Sequence, residues 1–258
     1  MKKYLTYALC SILVLGACKK AENKTGPLDT SLAYVSITNA NASGKTVNIF
    51  SNNDTLTLAS SIATNGTVLG LYTGVTPGTN LFEARDMAVA NTTYFQGDIT
   101  VAAGMSYSFF LYDTLKVGRV QGILLNNDRN ADANPANAKI RFLNLSPKSP
   151  ALDFWMIRRV GTVPKDSVRV LANVPYLGSV AAPDVTALSS YVSVFANEAA
   201  GAAGTGVAVS DYILRLKRAS TNTIVYSSAA TTIVPGRNYT LFARGLFPAV
   251  GITSVLNN

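Results

Sequence analysis

Short stretches of this chain alternate apolar and polar residues with a period of two, and turn residues separate them. Tyr34–Thr38 is the first, with Val35 and Ile37 set between polar neighbours. Val47–Phe50, Val68–Tyr72, Asn80–Arg85, Tyr94–Val101, Ser106–Tyr112 and Val117–Leu125 follow. A period of two puts alternate side chains on one face, so such runs predict β-strands. Turn signals recurring about every 8–12 residues fit a β-sandwich. Ser51-Asn52-Asn53-Asp54 reads as a tight turn between two of the strands. No stretch in this half carries the 3.6-residue period of an amphipathic helix.

The pattern then repeats. Ala33–Phe50 (AYVSITNANASGKTVNIF) is laid out like Ala138–Trp155, with Ala33 on Ala138, Asn39 on Asn144, Val47 on Leu152, Ile49 on Phe154 and Phe50 on Trp155. In the second copy the two strands flank a proline-bearing turn, Ser146-Pro147-Lys148-Ser149-Pro150. Val101–Phe110 likewise aligns with Ile233–Phe242: a Gly turn precedes a strand centred on Tyr107 or Tyr239. Leu125–Asn127 matches Leu256–Asn258. The offset between copies grows by about 27 residues, which places an insertion between Val160 and Ser210. It includes the Gly/Ala-rich Ala199–Gly206, expected as a loop. The predicted fold is all-β: two tandem immunoglobulin-like β-sandwich domains, 33–130 and 138–258, joined by a linker at 131–137.

The amino terminus has a different character. Met1-Lys2-Lys3 is a positive n-region, and Tyr4–Val14 is an apolar run shorter than the roughly 20 residues of a membrane-spanning helix. Leu15-Gly16-Ala17-Cys18 follows and resembles the bacterial lipobox. The resemblance implies a lipoprotein signal peptide over 1–17 and lipid attachment at Cys18, with 18–32 as a flexible lipidated tether. Stable anchoring needs more than one acyl chain, which an acylated diacylglyceryl cysteine supplies. Lys19-Lys20, rather than Asp, follows the cysteine, which points to the outer membrane of the cell envelope and leaves the leaflet open. The other cysteine, Cys10, lies within the signal, so no disulfide is expected in the exported protein.

Composition sharpens this picture. Apolar residues make up 48%, enough for two cores, and only 14% are charged, against about 25% in ordinary soluble proteins. The net charge of +8 is uneven: 33–130 is near neutral, and 138–258 holds the basic excess. Such a surface suits an anionic glycan, lipid head groups or nucleic acid, against the plainer reading of a solvated basic face with no partner.

Lys139–Phe154 combines an N-x-S-P turn with a following P-x-L-D-F, and Pro235–Thr240 reads P-G-x-x-Y-T. With the lipoprotein signal, these resemble the domain-of-unknown-function 4397 family over nearly all of the exported chain. The resemblance implies an envelope protein with tandem immunoglobulin-like domains, and supplies no catalytic residues. The second copy carries the pattern better; in the first, Asn39-Ala40-Asn41-Ala42 stands in place of the N-x-S-P turn.

Histidine is absent, which excludes histidine-based nucleophilic catalysis and imidazole metal sites. A carboxylate-dependent glycan hydrolase is the one catalytic alternative, and the expectation is no enzyme, no cofactor and no metal. Asp128, Asn130, Asp132 and Asn134 imitate the first half of a calcium loop. Ala133 replaces its turn glycine, and Lys139 stands where the bidentate Glu belongs, so a polar linker is expected. With Leu152, Phe154 and Met156 facing a core, Asp153, Trp155 and Ile157 face outward. Trp155 with Arg158 and Arg159 is then the candidate ligand contact, to stack on a sugar or hold an anion. The competing reading is that Trp155 packs on the neighbouring domain or under the insertion. Arg215, Lys217 and Arg218 form a second basic cluster. The functional expectation is a non-catalytic outer-membrane lipoprotein, a binding, adhesion or assembly module. A carbohydrate-binding accessory lipoprotein is the alternative. Expected partners are the membrane through the lipid and a glycan or envelope protein, with no nucleic acid.

Overall fold

The computed structural model describes residues 29–57, 62–63, 66–86, 89, 92–116, 118–160, 162–196 and 211–257. The expected signal peptide, the expected lipid site Cys18, most of the expected tether and the Gly/Ala-rich Ala199–Gly206 lie outside the described residues. Among the described residues, eight strands occupy the first half: β1 (Ala33–Asn39), β2 (Val47–Ser51), β3 (Asp54–Thr55), β4 (Thr67–Val75), β5 (Gly78–Asp86), β6 (Thr93–Val101), β7 (Ser106–Lys116) and β8 (Arg119–Asn126). Eight more follow: β9 (Asn137–Asn144), β10 (Leu152–Val160), β11 (Val163–Val174), β12 (Val192–Phe195), β13 (Asp211–Arg218), β14 (Ile224–Thr232), β15 (Asn238–Arg244) and β16 (Gly251–Leu256). A helix of one turn, α1 (Val185–Ser189), precedes β12.

The first half forms sheets β4-β1-β7-β8 and β3-β2-β5-β6. The second forms β12-β9-β15-β16 and β11-β10-β13-β14, the same order strand for strand. In each half one pair is parallel, β1 with β7 and β9 with β15. The sandwich expectation holds, but the strand order is not the immunoglobulin one. An immunoglobulin domain seats its first and second strands side by side in one sheet. Here β1 lies between β4 and β7, and β2 lies in the opposite sheet. Alternation along a strand fixes which residues face inward, and says nothing about which strand is the neighbour.

Each sandwich closes on its own core. Val35, Ile37, Ile49, Phe82 and Phe109 are buried in the first, where Phe82 meets Phe109 edge-on at 5.4 Å. Ile140, Phe142, Phe154, Leu214 and Leu241 fill the second, where Phe142 stacks on Phe154 at 4.7 Å. The aligned residues also play the same parts. Asn39 donates to the carbonyls of Lys45 and Ile62, and Asn144 donates to those of Pro150 and Val174. The amide thus ties the loop after each first strand to the next connection. The Tyr107 hydroxyl accepts from the Ala102 N–H and that of Tyr239 from the Val234 N–H, both at 3.1 Å. One alignment shifts by a residue. Tyr107 pairs with Asn126 and Tyr239 with Leu256, so Asn127 corresponds to Asn257 rather than Asn258. Identical letters suggested the slip, and the ladder register corrects it.

The extra residues of the second half are only partly loop. β11 runs for 12 residues where its counterpart β3 has two. A 3-10 turn at Leu177–Ser179 and α1 follow, with Asp184 capping α1 by accepting from the Thr186 and Ala187 N–H groups at 3.0 Å.

The two sandwiches meet face to face. Ala40, Phe110, Ile123 and Leu125 from the first pack with Leu143, Leu145, Phe242 and Val255 from the second. Phe110 and Phe242, which align with each other, touch edge-on at 5.6 Å. Leu125 and Val255, in the same cluster, are likewise counterparts. Contact between equivalent residues is the pattern of an isologous dimer interface, here within one chain. Beside this apolar patch, Arg141 is 2% exposed and has no carboxylate against it among the described residues. It donates to the Asn126 carbonyl and Asn127 Oδ1 at 2.8 Å, and to Thr240 Oγ1 at 2.7 Å. Its guanidinium lies 4.8 Å from the Tyr191 ring centre. Burial pulls this guanidinium below the ordinary arginine range. Asn257 donates to Ser108 across the junction, and Asn127 donates to Tyr72. The counterparts Asn127 and Asn257 thus both serve the junction.

Asp113, at φ 80° where β7 bulges, is buried beside the same junction. Burial alone would raise its pKa, but the Lys116 ammonium at 2.7 Å and the Thr114 N–H outweigh this and hold it below the ordinary value of 3.8. A carboxyl depressed on folding stabilises above its unfolded pKa, and that share is lost as pH falls through the folded value. Asp113→Asn should therefore narrow the gap between the urea midpoints measured at pH 7 and pH 3. The change expected is about 1 kcal/mol or less, because Lys116 is largely exposed.

Candidate functional site

The sheet β11-β10-β13-β14 turns one face to the core and the other outward. Along β10, Leu152, Phe154 and Met156 are fully buried in the core, as the alternation predicts. Trp155 lies on the opposite face, half-buried, opposite Arg169 of β11 and Arg215 of β13. The Lys217 ammonium sits 4.5 Å from the indole ring centre and the Arg169 guanidinium 5.8 Å from it. Cation–π attraction therefore holds both cations over the ring. The indole Nε1 is itself buried and has no hydrogen-bond partner among the described residues. Asp153 is the carboxylate beside them, and it is occupied: it accepts from the Asn173 N–H at 2.8 Å and from Arg169 at 3.2 Å. Arg215 donates to Ser227 at 2.9 Å.

The three predicted contact residues do not form one group. Arg158 follows the parity of Phe154 and Met156, so it lies on the other side of β10. Its guanidinium donates to both oxygens of Asp166, at 3.1 and 3.0 Å, and lies 5.2 Å from the Phe195 ring centre. These side chains, with Ser193 and Tyr212, line a cleft of about 580 Å³ between β11 and β12. The hydrogen bond from Arg158 holds the Asp166 carboxyl below its usual range. Arg159 shares the parity of Trp155 and stands opposite Asp211 on β13. The residues that do gather around Trp155 are Arg169, Arg215 and Lys217. The last two belong to the second basic cluster of the sequence; Arg169 comes from the insertion, where no motif signals it.

The acidic linker is held by a side chain of the protein itself. The Lys139 ammonium reaches Asp128 Oδ2 at 2.7 Å and the Asn130 carbonyl at 3.2 Å. Asp132 caps the turn by accepting from the Asn134 N–H at 2.9 Å. Among the described residues, no three Asp, Glu, His or Cys side chains are grouped to hold a metal ion.

Strand order, turn and residue matches now stand together over the first half and into β10. Residues 33–155 match the family model for the domain of unknown function DUF4397. The DUF4397 match takes in the whole first sandwich, crosses the linker and ends at Trp155 within β10. It therefore rests mainly on the first half, where the sequence motifs had pointed to the second. Three solved structures are distantly similar. A candidate cell adhesion protein from Bacteroides uniformis ATCC 8492 shares 10% identity, over 90% of this chain and 98% of that one, with a TM-score of 0.26. The tip fimbrial protein Mfa3 from Porphyromonas gingivalis shares 11%, over 88% and 99%, at 0.22. A candidate cell adhesion protein from Bacteroides ovatus ATCC 8483 shares 12%, over 88% and 96%, at 0.21. None of the curated proteins matches the chain.

Proposed function

We propose that the protein is a non-catalytic lipoprotein of the bacterial outer membrane, anchored through Cys18, whose two duplicated sandwiches act as one rigid binding or assembly module. The observation that carries this reading is the buried junction between the sandwiches, with Phe110 against Phe242 and Arg141 bonded across it. A junction that buries an arginine and ten apolar side chains makes a spacer of fixed shape rather than a hinge. That rigidity suits presenting a surface away from a membrane, and the signal and tether residues at 1–32 supply the attachment. Sugar stacking on a bare Trp155 is the weaker reading, because Lys217 and Arg169 lie over the ring.

Cys18→Ala tests the anchor in the native host. The wild-type chain should fractionate with the outer membrane and incorporate labelled fatty acid; the variant should do neither. A variant that stays membrane-bound and labelled would refute attachment at Cys18. A glycan-cleaving turnover abolished by one carboxylate substitution would refute the non-catalytic reading.

A further inference from the structure

We infer that the outward face of β11-β10-β13-β14 around Trp155 binds an acidic polysaccharide, a sugar polymer bearing carboxylate groups. The inference rests on the binding-module reading above and names the partner class for this face. Three cations gather there, Lys217, Arg169 and Arg215, and each offers only hydrogen-bond donors. Asp153 neutralises one cation through a pair whose arginine is half-exposed, which is weak in water and leaves Arg169 available. The face thus calls for a ligand rich in acceptors and negative charge.

The placement of the cations favours an extended ligand over a single small anion. Arg169, Trp155 and Arg215 stand opposite one another on three neighbouring strands. Strands are about 4.8 Å apart, so the two arginines are rooted about 10 Å apart with the indole between them. Lys217 lies two residues along β13 from Arg215, on the same face. Cations so spread fit successive charged groups along an extended chain. Nucleic acid fits less well, because base stacking needs an uncovered aromatic face and Trp155 lies beneath two cations. A sugar polymer needs no such face, because its carboxylates meet the cations.

The test uses the full-length chain in detergent, with polygalacturonate as the probe at moderate salt. Dextran serves as the neutral sugar, and polyphosphate as a polyanion without sugar. Saturable binding to polygalacturonate is expected, at least tenfold tighter than to either control. The double variant Arg215→Ala/Lys217→Ala should weaken it at least tenfold with an unchanged melting temperature. Trp155→Ala, which removes the ring that positions Lys217 and Arg169, should weaken it severalfold. Lys116→Ala/Arg119→Ala, which removes two cations of the first sandwich, should leave it unchanged. Equal affinity for polyphosphate or dextran, insensitivity to the Arg215/Lys217 change, or no binding at all would overturn the inference. Those results leave the non-catalytic reading standing. Release of reducing sugar from the bound polymer would instead overturn that reading and leave the binding face in place.

Discussion

Arg141→Ala should lower stability by about 3 kcal/mol and split a single unfolding transition into two. Opposing effects set the size of this loss. Losing the side chain strands the Asn126 carbonyl, Asn127 Oδ1 and Thr240 Oγ1, and hydrogen bonds to charged groups are worth about 1.5–3 kcal/mol each. It also leaves a cavity, which adds to the loss. Against this, burying a cation without a counter-ion costs several kcal/mol, and the substitution relieves that cost. The lost bonds and the cavity together exceed the relief. Arg141→Met, which fills the space without bonding, should cost about half as much. For a chain of this size, 3 kcal/mol corresponds to roughly 10 °C in melting temperature. Urea unfolding followed by tryptophan fluorescence reports the second sandwich, since Trp155 is the sole tryptophan, and circular dichroism reports both. In the wild type the two signals should coincide; in Arg141→Ala the curves should separate. Coincident curves at an unchanged midpoint would show that the junction does not couple the sandwiches.

Phe110→Ala and Phe242→Ala should each cost about 3–5 kcal/mol, since both rings are fully buried. The more telling result is their combination. The rings touch, so the double variant should lose less than the sum of the singles, by about 0.5–1.5 kcal/mol. A third variant guards against reading general core damage as coupling. Phe82→Ala removes a ring from the first core, which touches Phe109 rather than Phe242, and it should add to Phe242→Ala without a shortfall. Additivity in the Phe110/Phe242 pair would break the account of the junction.

Much of this architecture was legible because its signals are local. The alternation around Val35, Ile37 and Phe154 reports burial on one side, and Asn39 and Asn144 are recognisable as the same turn residue. The junction was harder to see. Its trace is the unbroken run Phe109-Phe110-Leu111-Tyr112, where alternation lapses because both faces of β7 are covered. Leu241-Phe242-Ala243 carries the same sign on β15. Strand order left no such trace, since neighbours are chosen by contacts far apart in the chain. Nor did the surroundings of Trp155: Arg169 arrives from β11, and only pairing reveals that it stands opposite the indole. Arg158 shows the converse, close in sequence to Trp155 but separated from it by the thickness of a strand.

The like-to-like packing of the two sandwiches has a consequence for growth. A surface that binds its own counterpart is satisfied after one encounter, so the contact closes upon itself and propagates no further. Both copies of that surface are spent inside a single molecule. Any contact between separate molecules would have to form through their remaining faces and edges, with each molecule taking part as an indivisible pair.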